Sequence, residues 1–446
     1  DGEKTRRVLS VGGDVAPTFQ GLTLMNGKAE RGGNVYAEDA ALNFIATSIL
    51  SGSAASGGGL SLKNCRAAFD LTDVDPLKLL TDLNSLMLIQ DNVATADGGG
   101  LYVEGGDPLF AGTLIQANHA EGKGGGVFVK ESALRVAASL VLSNTASQGG
   151  GLYFDGPLTL LFDEVPLLLN TYIRHNRALH AGNGEGGGLY MYNAVVGMVN
   201  DVIADNQAVE GAGMYLYASS PQIFFNTVAQ NLGNSGLYMT HQPAVLWPPS
   251  PLIPSLPNIT NTIITSHTVG LYVDSSDLAF PLENRATLAG TLWWGNGDDV
   301  QGPGDVRQSS DVTGSPAFIC TGAFPMCALP YHISTTAGAS AALDQGVEIG
   351  FALAELDFLV DIDGQLRPSG AAYDIGVDEV PRADMSLAFV PQRSMRVARP
   401  GRTVTHTHWL VNAAPETASM QLYNITARSD EGWTVDVDPD SVSIGG

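Results

Sequence analysis

Long apolar runs are missing from this chain of 446 residues. None approaches the roughly 20 residues of a membrane-spanning helix, so no direct membrane span is expected in this segment. The opening DGEKTRRVLS has no apolar signal-peptide core and reads as a strand already inside a repeat, which places any targeting sequence upstream. Basic residues are also scarce. The 22 Lys and Arg face 46 Asp and Glu, for a formal charge of −24. Such a chain repels phosphate backbones and anionic lipid, which excludes nucleic acid as a partner and leaves divalent cations and basic surfaces. Cysteine is limited to three residues. Cys320 and Cys327 sit close enough, across TGAFPM, to close a local disulfide, with Cys65 left over. One such pair suits an oxidising compartment, and free thiols fit the same spacing. Helical periodicity is missing as well, which rules out helical solenoids.

Glycine, by contrast, is abundant, with 53 residues and no collagen-like period. It clusters at Gly32, Gly57, Gly98, Gly124, Gly149, Gly186, Gly211 and Gly236, with a degenerate copy at Gly270, and several steps are 24 to 26 residues. An apolar–aromatic–apolar triplet follows most clusters, as in Leu101-Tyr102-Val103 and Leu189-Tyr190-Met191. An asparagine precedes them: Asn26, Asn92, Asn118, Asn144, Asn176, Asn206 and Asn231. Each unit is too short to bury its own apolar face, so the units must stack and pair strand to strand. The expected fold is all-β: a right-handed parallel β-helix of about ten coils, residues 1–318. Glycines supply the tight corners, the asparagines a buried amide ladder, and the rings an outward stack on one face.

From about residue 284 the repeat degrades, and 319–380 is expected to be a cap over the last coil, whose strand edge would otherwise stay open. Insertions at 65–85, 155–170 and 241–258 project as loops. Beyond a linker at 381–384, residues 384–446 alternate like an Ig-like β-sandwich short of its last strands.

The glycine-cornered repeats resemble bacterial right-handed β-helix repeat proteins of the pectin-lyase-like superfamily, and more loosely chlamydial polymorphic outer-membrane proteins. The order WWGNGDDV, SPAF, SAALDQGV, DIDGQLRPSGAAYDIGVDE across 290–380 is similar to the C-terminal part of surface proteins with a choice-of-anchor region. Residues 384–446 resemble Ig-like modules of bacterial exported proteins. The resemblance implies an exported, surface-associated bacterial protein and names no substrate.

The superfamily includes polysaccharide lyases and hydrolases. Gly297-Asp298-Asp299 matches a hydrolase fragment, but the G-H-G and R-I-K partners are missing from the sequence. No complete lyase or hydrolase constellation stands out, and no catalytic residue is assigned. The expected role is a non-catalytic extracellular or cell-surface scaffold, structural or adhesive, able to self-assemble into a filament or sheath. Homo-oligomers would form through coil-edge stacking or strand donation. The alternative is a carbohydrate-active enzyme or carbohydrate-binding protein. Its surface glycans would stack on the aromatic face of Tyr102, Phe128, Tyr153, Tyr190, Tyr215 and Tyr238, helped by Trp247 on the 241–258 arm. No organic cofactor is expected. Asp361-x-Asp363-Gly364 reads as part of a structural calcium loop or as a tight turn, and His406-x-His408 as an exposed strand face.

Overall fold

The computed structural model describes residues 1–70, 87–156, 165–179, 183–243, 253–275, 283–321, 327, 330–334, 340–349, 360–365 and 367–381, with short strands elsewhere. Each coil contributes one strand to each of three sheets. Sheet 1 runs from Leu9–Gly12 to Asp298–Gln301, sheet 2 from Thr18–Gln20 to Asp305–Ser309, and sheet 3 from Thr23–Met25 to Val312–Thr313. Each holds 11 strands, one more than the expected ten coils, and a short fourth sheet of five two-residue strands spans Ser53–Ala54 to Arg177–Ala178. Pairing between coils is parallel throughout, so the stack is a parallel β-helix roughly 48 Å tall at about 4.8 Å per coil.

In-register pairing puts like on like. Leu101–Glu104 pairs with Val127–Lys130, setting Tyr102 beside Phe128. Alternation then divides each strand: Leu101 and Val103 are fully buried in the central core, and Tyr102 points to the outer face. Two corner glycines show why the corner excludes side chains. Gly124 has φ +65, and a Cβ on Gly125 would lie 2.4 Å from the Gly150 carbonyl of the next coil.

The asparagines form the predicted ladder. Asn118 Nδ2 donates to Asn144 Oδ1 at 3.0 Å and to the Ile89 carbonyl at 2.8 Å, and the arrangement repeats from Asn92 to Asn231. Asn26 is not a member. It occupies the left-handed position (φ 56) just before the ladder site, as Ala117 and Ser143 do in their coils. Glycines stand at the first two ladder sites, Gly27 and Gly52, and the amide comes instead from Asn34 on the glycine corner. Asn34 Oδ1 accepts from Gly27 N at 2.7 Å, and its Nδ2 donates to the Leu50 carbonyl and to Asn92 Oδ1. A second polar ladder lines the turn between sheets 2 and 3: Thr113, Ser139, Thr171, Asp201, Asn226, Thr262 and Thr291.

The segment expected to cap the last coil lies along the flank. Tyr331, Ile362 and Val377 pack on Leu114, Leu140, Tyr172, Val202, Ala204 and Ala229, the outward side chains of sheet 3. Ile333, Ala342 and Ile375 cover Ile263 and Leu292, and Tyr373 packs beside Phe225 and Val199. The reason is apolar demand: strands such as Val202–Ala204 are buried on both faces and need a second layer. This strap is bolted at Arg367, which is fully buried. Its Nη1 donates to Glu379 Oε2 at 3.2 Å, its Nη2 donates to the Gly376 carbonyl at 2.8 Å, and the guanidinium lies 4.4 Å from the Phe225 ring centroid. Arg174, which has no acidic neighbour in sequence, pairs one coil on with Asp205, and its Nη2 donates to the Thr321 carbonyl of the strap. Of 384–446, the described residues form two antiparallel pairs, Ala388–Val390 with Trp409–Val411 and Gln421–Asn424 with Ser441–Ile444. The rest of the Ig-like expectation lies outside the described residues, as do His406 and His408.

Candidate functional site

Among the described residues, three places bring chemistry-bearing side chains together. The first is the aromatic column on sheet 1. Tyr102, Phe128, Tyr153, Tyr190, Tyr215, Tyr238 and Tyr272 stack face to face at centroid separations of 4.8 to 5.4 Å. That spacing is the strand repeat itself, so each ring spends its faces on its neighbours. The column points outward as expected but is not open. Phe128, Tyr153, Tyr190 and Tyr215 are buried, and only Tyr102, Tyr238 and Tyr272 are partly exposed. Two rows of long side chains wall it in. On one side the Lys123 ammonium lies 4.7 Å from the Tyr153 ring centroid and Gln148 bonds Glu185; on the other stand Lys130, Asp155 and the stacked pair Tyr192 and Tyr217. Burial holds the Tyr153, Tyr190 and Tyr215 hydroxyls protonated far above their ordinary range. Trp247 lies outside the described residues.

The second is a cleft of about 500 Å³ at the corner where sheet 1 turns into sheet 2. Val129, Phe154, Pro166 and Ala194 line its apolar part; Arg66, Asp107, Glu131, Ser132 and Asp155 its polar part. Arg66 Nε donates to Asp107 Oδ1 at 3.0 Å, and burial raises the Asp155 carboxyl against the pull of Lys123 and Lys130. No single residue announced this cleft. The signal in the sequence was indirect: the interruption at 155–170 falls at this corner, between the sheet 1 strand Leu152–Asp155 and the sheet 2 strand Leu167–Leu169, whereas that at 65–85 follows a sheet 2 strand, Arg66–Asp70.

The third lies in the strap. Asp361 is fully buried and spent on backbone: its Oδ1 accepts from Asp363 N and Gln365 N, and its Oδ2 from Glu379 N. That is the tight-turn reading of DIDG. Asp363 instead meets two residues not singled out in the sequence, His332 and Asp378. His332 Nε2 lies 3.0 Å from Asp363 Oδ2. Burial disfavours its cation, but the Asp363 hydrogen bond and the charges of Asp363, Asp378 and Asp361 outweigh that and push it up to about 9. Burial also raises the Asp378 carboxyl, against the His332 charge.

Cys320 and Cys327 are joined in a disulfide within this strap, and Cys65 is a buried free thiol. Asp298 and Asp299 lie exposed on the last strand of sheet 1, accepting from Gln301 Nε2 and Asn296 Nδ2. Among the described residues no helix is long and apolar enough to cross a membrane. Comparison with known proteins finds no matching family, curated protein or solved structure.

Proposed function

We propose that the chain is a non-catalytic scaffold of the bacterial cell surface or exterior, structural or adhesive in role. The observation that carries this reading is where the polar and aromatic side chains are spent. Asparagines and turn residues satisfy one another inside ladders, and the rings stack on one another behind walls of long side chains. The product of that arrangement is rigidity along an axis, which serves a spacer or stalk. The Cys320–Cys327 disulfide supports an oxidising exterior. The resemblance of 290–380 to choice-of-anchor surface proteins supports the same location, and 384–446 would continue it as an Ig-like module. Filaments built by coil-edge stacking or strand donation belong to this reading.

The test combines labelling of intact cells that express the gene with mass measurement and electron microscopy of the native protein. Surface labelling with rod-shaped particles or filaments is the expected result; a cytoplasmic protein would overturn it. A carbohydrate-active or carbohydrate-binding role is the second reading, favoured by the carboxylate-rimmed cleft of Asp107, Glu131 and Asp155. A screen of acidic polysaccharides, following retention, unsaturated products and reducing ends, separates the two. Turnover would replace the scaffold reading.

A further inference from the structure

We infer that His332, Asp363 and Asp378 form a divalent-metal site of the zinc class, which ties three stretches of the strap together on the flank of the β-helix.

The three residues come from separate stretches of the strap, and each offers one donor atom, all within 4.8 Å of one another. His332 Nε2 and Asp363 Oδ2 are already 3.0 Å apart. Two donors at about 2.0–2.2 Å from one ion stand roughly 3.0–3.5 Å apart at tetrahedral or somewhat smaller angles, so the pair needs little movement to share one. The supporting shell is in place. Asp378 Oδ2 accepts from Ile333 N at 2.8 Å, which fixes that carboxylate beside the ring. Asp361 Oδ1 accepts from Asp363 N at 2.9 Å, which fixes the turn carrying Asp363. His332 is nearly fully buried and Asp363 only slightly exposed, so an ion here would be shielded from water.

Charge makes an independent argument. The strap buries Asp361, Asp374, Asp378 and Glu379, with Asp363 at its edge, against one permanent cation of its own, Arg367. Buried negative charge in excess of its partners is costly, and a doubly charged ion would offset it. Four buried polar atoms of the strap have no partner among the described residues, His332 Nδ1, Gln365 Oε1, Arg367 Nε and Ser369 Oγ. The donor set also chooses the metal. An imidazole with two carboxylates suits zinc, whereas calcium takes six to eight oxygens and Asp361 is occupied by backbone amides.

The full chain, stripped with EDTA, is titrated with zinc chloride by calorimetry and, in parallel, with calcium chloride. Expected is one zinc per chain that raises the melting temperature, with calcium unable to compete. His332→Gln and Asp378→Asn each abolish that event while the β signal in circular dichroism persists. Equal zinc binding by His332→Gln, a preference for calcium, or no binding by the wild-type chain would each overturn the site. Should both variants misfold, cobalt chloride on the wild-type chain decides. Strong visible absorption of a four- or five-coordinate ion supports the site, and the weak spectrum of the hydrated ion refutes it.

Discussion

His267 stands where the ladder would otherwise carry an eighth asparagine, and its surroundings dictate one protonation state. Asn231 Oδ1 is committed to Asn206 and one Nδ2 hydrogen to the Ile203 carbonyl, so the other Nδ2 hydrogen must point at His267 Nε2, 3.2 Å away. Nε2 therefore carries a lone pair, and Nδ1 carries the proton facing Asn296 Oδ1 at 3.2 Å. A second proton on Nε2 would set donor against donor in a buried slot. Burial, only partly offset by the Asn296 hydrogen bond, lowers the ring from 6.5 to about 4. The folded form thus binds its proton later than the unfolded chain. The stability His267 contributes is fully present above about pH 6.5 and is lost as pH falls towards 4, by about 3 kcal/mol at 1.36 kcal/mol per pH unit. His267→Asn removes the titrating group and supplies the amide of its neighbours. Urea unfolding of both chains from pH 7.5 to 4 isolates it: the variant should gain about 3 kcal/mol on the wild type across that window. Hydrogen exchange of the amides around Gly236 should localise the gain to these coils. Parallel pH profiles for the two proteins would refute the assigned tautomer and the burial argument together.

Three further outcomes are expected. Asp201 is fully buried, and burial raises its carboxyl well above the ordinary range despite hydrogen bonds from backbone amides. By register its free oxygen faces the Leu168 carbonyl, as Asn226 Nδ2 faces that of Met198. Asp201→Asn should therefore stabilise by about 1–3 kcal/mol at neutral pH, with the gain vanishing below the ordinary carboxylate range, read by denaturant melts. Tyr190→Ala empties the middle of the ring column and should cost about 3–5 kcal/mol, against less than half of that for Tyr272→Ala at its partly exposed end. Arg367→Met leaves Glu379 buried without its cation, at about 3–5 kcal/mol. Limited proteolysis should then cut the strap while sparing the coils; an uncut strap would remove Arg367 from its role.

Much of this molecule is written in its period. Glycine clusters and triplets recur because every coil repeats the same corner and the same inward positions, and such constraints survive translation along a stack. What escaped has no period. Asn26 and Asn34 lie eight residues apart, and only the atoms decide which amide enters the ladder; the clue was that Asn34 replaces the third glycine of its corner. Ring exposure was misjudged because burial of Tyr153 depends on Lys123 from the preceding coil and Tyr192 from the following one. The strap was taken for an end cap because its residues alone say nothing of where they dock. The docking surface did leave a trace: Leu88, Leu114, Leu140, Tyr172 and Val202 are outward yet apolar in successive coils. His332 and Asp378 lie 46 residues apart, and no spacing rule joins them.

A stack of coils touching only nearest neighbours would come apart piecemeal, each rung fraying when its own neighbour left. The flank segment changes that arithmetic. Asn200, Thr227 and Asn261, on three coils in succession, bond the flank segment at Val360, Val377 and Val347 respectively. Loosening one of them tugs on the others, so this stretch should melt as a single block while the first coils, which the described residues of the segment do not touch, retain the gradual behaviour of a linear array.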